Sequence, residues 1–102
     1  MSDGLKPSPS SGKPLFSLGQ VVATRGALNT MIEFGIPPDR LIHRHITGDW
    51  GDLCEGDQQQ NLIAIRSGMR IFSSYRFSAD AKIWIITEAD RSSTTLLLPD
   101  EY

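Results

Sequence analysis

The spacing of apolar residues changes period at Gly68, and that change constrains the fold more than any other feature of the chain. Before Gly68 the large apolar residues fall at the three- and four-residue intervals of a helix face; after it they alternate or run together, as in strands. Residues 55–67 read as a helix with Leu62, Ile63 and Ile65 as its apolar positions and Gly68 as its stop. Beyond it, residues 70–77 alternate, with Ile71, Ser73 and Tyr75 on one face and Phe72, Ser74 and Arg76 on the other. Residues 82–87 are nearly continuous in apolar side chains, which predicts a central strand covered on both faces, with Trp84 in the core. Thr94 to Leu98 form the last strand, closed by Pro99.

Upstream, residues 20–24 read as a short β-branched strand. Thr24 is placed to cap a helix over residues 25–34, with Ala27, Leu28, Met31 and Phe34 as its buried stripe. Gly35 and the prolines at 37 and 38 end it, and Pro38 with Asp39 opens a second helix to about Ile46. Leu41, Ile42, His45 and Ile46 share a face of that helix. The reading is an α+β domain over residues 16–102, ordered β-α-α-α-β-β-β, with an antiparallel C-terminal meander packed against the N-terminal helices. Residues 1–15, rich in Ser, Pro, Gly and Lys, read as a flexible tail that buries too little apolar surface to offset its ordering entropy.

Ten Lys and Arg against twelve Asp and Glu give a formal charge of -2, which argues against nucleic acid as the primary partner, because phosphate neutralisation supplies most non-specific affinity. One cysteine, Cys54, excludes an intrachain disulfide scaffold. No leader-like h-region and no run of about 20 apolar residues is present, so the expected location is the cytoplasm, with no membrane contact.

The acidic stretch Asp49, Asp52, Glu55 and Asp57 lacks the spacing of a calcium loop, and its acids suit turn and helix-start positions. His43 and His45 stand two apart, about 200° around a helix, and cannot hold one ion together there. Cys54 has no basic neighbour in sequence, and neither a nucleophile elbow nor a phosphate-binding loop is present. No cofactor, no metal and no catalytic set are expected. The candidate partner-binding residues are Asp49, Trp50, Asp52 and Asp57 on the acidic stretch, with Glu88, Asp90 and Arg91 on the turn between the last two strands.

The segments GQVVATRGAL (19–28), RHITGDWGDL (44–53) and IWIITEADRSSTTLLLPDEY (83–102), with Gly68, Arg70 and Tyr75, resemble a family of short bacterial proteins. Members occur on plasmids and integrated mobile elements and often bear the label "type I restriction endonuclease subunit M". The resemblance covers nearly all of residues 16–102. It implies a setting on mobile DNA and assigns no activity or catalytic residue. The methyltransferase that the label names is not expected, because no glycine-rich cofactor loop and no Asn-Pro-Pro-aromatic box are present.

The function expected is therefore a non-enzymatic accessory protein of a mobile element. It would bind a host or mobile-element protein, inhibiting a defence such as restriction or CRISPR, or regulating plasmid transfer. One alternative is a small toxin or ribonuclease of the RelE/ParE type, with Arg70, Arg76, Arg91 and Tyr75 facing RNA. The other is a small metal-dependent enzyme using the acidic stretch and His45. Monomer and dimer are left open.

Overall fold

A computed structural model describes residues 13–102. The elements run β1 (Gln20–Ala23), α1 (Arg25–Glu33), α2 (Pro38–Thr47), α3 (Glu55–Ser67), β2 (Ile71–Arg76), β3 (Lys82–Thr87) and β4 (Ser93–Leu97), closing with a short 3-10 turn at Pro99–Glu101. This is the α+β order expected. The strands form one sheet in the order β1-β4-β3-β2. β2, β3 and β4 make the antiparallel meander. β1 joins it in parallel beside β4, Gln20 opposite Ser93 and Ala23 opposite Leu96. Most of the expected tail, residues 1–12, lies outside the described residues. Leu15 is already attached to the body, its N–H donating to the Ile46 carbonyl at 2.8 Å.

Each helix begins and ends for a local reason. The Thr24 hydroxyl accepts the Ala27 N–H at 3.0 Å and caps α1. Pro38 occupies the first turn of α2, where its missing N–H is harmless, and Gly48 ends that helix in the left-handed conformation at φ 99°. α1 and α2 lie against one face of the sheet. Ala27, Met31 and Leu41 pack there with Tyr75, Ile83, Ile85 and Leu96 to form the core.

Three burial expectations need correction. In α1 only Ala27 and Met31 are buried, while Leu28 and Phe34 flank the contact and stay exposed, because a nine-residue helix on a sheet buries one narrow stripe. In α3, Leu62 and Ile63 are exposed, and the buried residues are Asn61 and Ala64. That helix lies beside the edge strand β2 and is oriented by a hydrogen bond rather than by its apolar pattern. Trp84 is half-buried, not a core residue: β3 is interior to the sheet, but aromatic rings cover its second face. Phe72 meets Trp84 edge-on at 4.9 Å between centroids, and Tyr102 meets it at 6.0 Å.

The C-terminus is tied back to α1. The Thr24 hydroxyl donates to Glu101 Oε1 at 2.6 Å, and the same oxygen accepts the Leu98 N–H at 2.8 Å. These bonds, the Thr24 one first, hold the Glu101 carboxyl below its ordinary pKa. A side chain at position 26 would press on that carboxylate, so Gly26 keeps the approach open.

Candidate functional site

The segment Asp49–Trp50–Gly51–Asp52 follows the end of α2 and runs along the outer edge of β2. The Asp49 carboxylate receives Arg44 through two bonds, Nε to Oδ2 at 2.7 Å and Nη2 to Oδ1 at 3.2 Å. That pairing, ahead of the opposing effect of burial, lowers the Asp49 pKa and raises that of Arg44. The Arg44 guanidinium lies over the Tyr75 ring at 4.5 Å, and the Tyr75 hydroxyl donates to the Asp49 carbonyl at 2.7 Å. Burial holds the Tyr75 phenol above its ordinary pKa. Trp50 is 4% exposed, and its indole N–H donates to the His45 carbonyl at 3.0 Å.

These residues close a strand edge. Ser74 N–H donates to the Trp50 carbonyl at 3.2 Å, and Asp52 N–H to the Ser74 carbonyl at 2.7 Å. Asp52 Oδ2 accepts the Arg76 N–H at 2.6 Å. Gly51, at φ 77°, sits so close to the Ser74 carbonyl that no side chain fits. Further along the same edge the Asn61 side chain acts as a surrogate peptide. It donates to the Phe72 carbonyl at 2.7 Å and accepts the Phe72 N–H at 3.1 Å.

The turn from Glu88 to Arg91 is held to the other end of α3. Arg91 Nη1 donates to the carbonyls of Met69 at 2.7 Å and Glu88 at 3.0 Å, and Nη2 donates to that of Ala64 at 3.0 Å. A cation among the last carbonyls of a helix complements its dipole. Arg91 has φ 61°, the only positive value on a non-glycine among the described residues. Asp90 Oδ1 accepts the Ser92 N–H at 3.0 Å, and bonds from Ser92 lower the Asp90 pKa. Glu88 meets Arg70 at 3.4 Å.

The candidate residues therefore do not converge. Asp49, Trp50 and Asp52 belong to the β2 edge, and Asp57 is exposed in the first turn of α3. Glu88, Asp90 and Arg91 lie by its last turn, Arg91 bonding Ala64 about 10 Å along the helix from Asp57 at the standard rise. Nor do the alternatives assemble. Tyr75 is buried and Arg91 is enclosed by carbonyls, so the expected RNA-facing set is dispersed. No group of three or more metal-ligating side chains occurs among the described residues.

Sequence reasoning missed a buried relay at His45. His45 is fully buried between Ser73 Oγ, 2.5 Å from Nδ1, and Thr87 Oγ1, 2.9 Å from Nε2. Thr87 meets Thr94 at 2.7 Å, and the Thr94 hydroxyl donates to the Leu18 carbonyl at 2.8 Å. The last donor fixes the rest. Thr94 has spent its proton, so Thr87 donates to it and accepts from Nε2–H. Nδ1 then accepts from Ser73. Burial lowers the His45 pKa to about 3 and keeps the ring neutral. The pair resembles a Ser–His dyad in composition only: both members are fully buried, and the edge of the Phe16 ring covers His45 at 5.2 Å. The signal available in the sequence was the placement of His45 four residues after Leu41, on the buried face of α2.

An open groove of about 680 Å³ lies at the end of the sheet, between α1 and the β2–β3 turn. Glu33, Asp80 and Asp100 line it together with Arg76 and Lys82, so its charge is mixed, and none of the candidate partner-binding residues lines it. No protein-family model, no curated protein and no solved structure matches the chain. No helix among the described residues is long and apolar enough to cross a membrane.

Proposed function

We propose that this protein is a non-enzymatic accessory protein of a mobile genetic element that works in the cytoplasm by binding another protein. The observation that carries the reading is how polar and apolar groups are divided between interior and surface. The polar groups that chemistry would need hold the fold together: Asp49, Asp52, His45 and Arg91 are each bonded within the chain. Large apolar side chains stand on the surface instead. Leu62 is 47% exposed, Ile63 51% and Met69 56%, all on α3 or just beyond it. On α3, Leu62 and Ile63 lie on the face opposite the buried Asn61 and Ala64, flanking Gln59 and Arg66. Apolar residues flanking polar ones on an outward helix face suit a protein interface.

The family resemblance supports a partner drawn from the host or the element itself, with inhibition of a defence system or control of plasmid transfer as the outcome. Affinity capture from a bacterial host, with and without nuclease, tests the reading. A stoichiometric protein partner lost on Leu62→Asp or Ile63→Asp is expected. Retention of RNA alone, released by nuclease, overturns it.

A further inference from the structure

The two edges of the sheet are built differently. Asn61, Trp50 and Asp52 close β2, whereas no described residue pairs with the outer side of β1. Gln20 N–H donates to the Ser92 carbonyl at 3.0 Å, and Thr24 N–H to that of Leu96 at 3.0 Å. Gln20, Val22 and Thr24 thus turn their backbone groups toward β4, and alternation turns those of Val21 and Ala23 outward. No described residue bonds them. Val21 and Val22 are each 41% exposed, on opposite faces of the sheet. α1 extends this strip. Its Thr30 and Phe34 flank faces the β2–β3 turn, Phe34 resting on Phe77 at 5.9 Å between centroids. At helical spacing Leu28 and Ile32 stand on the opposite flank, away from β2 and β3, and Ile32 is 76% exposed. Residues 19–24 contain no charge and no proline, the devices that usually blunt an edge strand.

We infer that β1 pairs with β1 of a second copy, antiparallel, about a two-fold axis at Val22. The edge is self-complementary about that residue. The outward N–H and C=O of Val21 meet those of Ala23 in the second copy, and the reverse, while the two Val22 side chains stand opposite each other. Two four-stranded sheets become one continuous sheet, and the contact is isologous. A neutral strand neither repels its own copy nor favours a charged partner. Residues 1–12 fit the edge poorly: they offer only Met1 and Leu5 as large apolar side chains, and Pro7 and Pro9 lack the N–H a ladder needs. This surface lies at the opposite edge of the sheet from α3, so its failure and that of the partner reading are read separately.

Sedimentation velocity of the full chain over a wide concentration range tests the inference. The wild type is expected to run as a concentration-dependent dimer. Val22→Lys sets two ammonium groups face to face and should raise the dissociation constant at least tenfold, while Val22→Thr keeps the dimer. Ile32→Lys changes a side chain already in solvent and should weaken the dimer without touching the fold, which circular dichroism confirms. A wild type that stays monomeric at every concentration overturns the inference. So does a dimer indifferent to both lysine variants. A dimer that appears only after removal of residues 1–12 would make that segment the occupant and overturn it too.

Discussion

His45 is a base that the fold keeps unprotonated. Its ring is buried among hydroxyls, with no carboxylate to compensate a positive charge, and its pKa falls to about 3 from an ordinary value of 6.5. As pH drops below about 6.5 the unfolded chain takes up a proton that the folded chain refuses. Stability is therefore complete above 6.5 and is lost as pH falls toward 3, at about 1.4 kcal/mol per unit. Urea denaturation at pH 6.5 and pH 5 should differ by about 2 kcal/mol in the wild type. The His45→Gln variant should be less stable at both values and should lose that slope. Asp49, Asp90 and Glu101, whose pKa values are lowered, act only at more acid pH, so the window reports on His45.

Arg91 makes the second case at this scale. Its guanidinium satisfies carbonyls from α3, from Met69 and from its own turn, a task that needs a planar fork. Arg91→Ala should cost about 2 kcal/mol in thermal or urea unfolding, and Arg91→Lys should recover little of it. A catalytic or RNA-gripping role would instead leave stability unchanged.

At the scale of elements, α3 shows what apolar spacing reveals and what it hides. Its bounds, residues 55–67, were legible because Gly68 stops the helix in the left-handed conformation. Its buried face was not, because Asn61, a polar residue in a polar run, fixes the helix by pairing with the β2 edge at Phe72. Nothing in the apolar spacing encodes a side chain that substitutes for a strand. The same holds for the Asp49–Asp52 segment, whose acids stand out in sequence as a charged cluster. In space they are an edge seal, Asp52 being an acceptor for one backbone N–H. The faces of β2 were legible because side-chain alternation has a fixed period, whereas the continuous apolar run of β3 did not show that Trp84 is only half-buried. The parallel pairing of β1 with β4 was not legible, since it joins the first strand to the last across most of the chain. Asn61→Leu should cost about 2–3 kcal/mol by leaving the Phe72 N–H and C=O unpaired. Asn61→Asp should also destabilise, because a carboxylate accepts the N–H but faces the carbonyl oxygen unfavourably. Hydrogen exchange should then show the Phe72 and Ser74 amides losing protection ahead of β3 and β4.

At the level of the whole molecule, one sheet edge is closed by the backbone of the Asp49–Asp52 segment and by side chains, the other is uncharged and bonded by no described residue, and α3 shows apolar residues to solvent. The residues of the buried polar network do not line the mixed-charge groove. We propose that the protein acts by binding a protein partner, and the outward face of α3 is the surface on which that partner would dock. The most direct measurement compares partner capture by the wild type and by the Leu62→Asp, Ile63→Asp double variant, both folded by circular dichroism, with and without nuclease. A stoichiometric protein partner on the wild type, lost on the double variant, is expected. The same partner retained undiminished by the double variant, or nucleic acid as the only species bound and lost with nuclease, overturns the proposal.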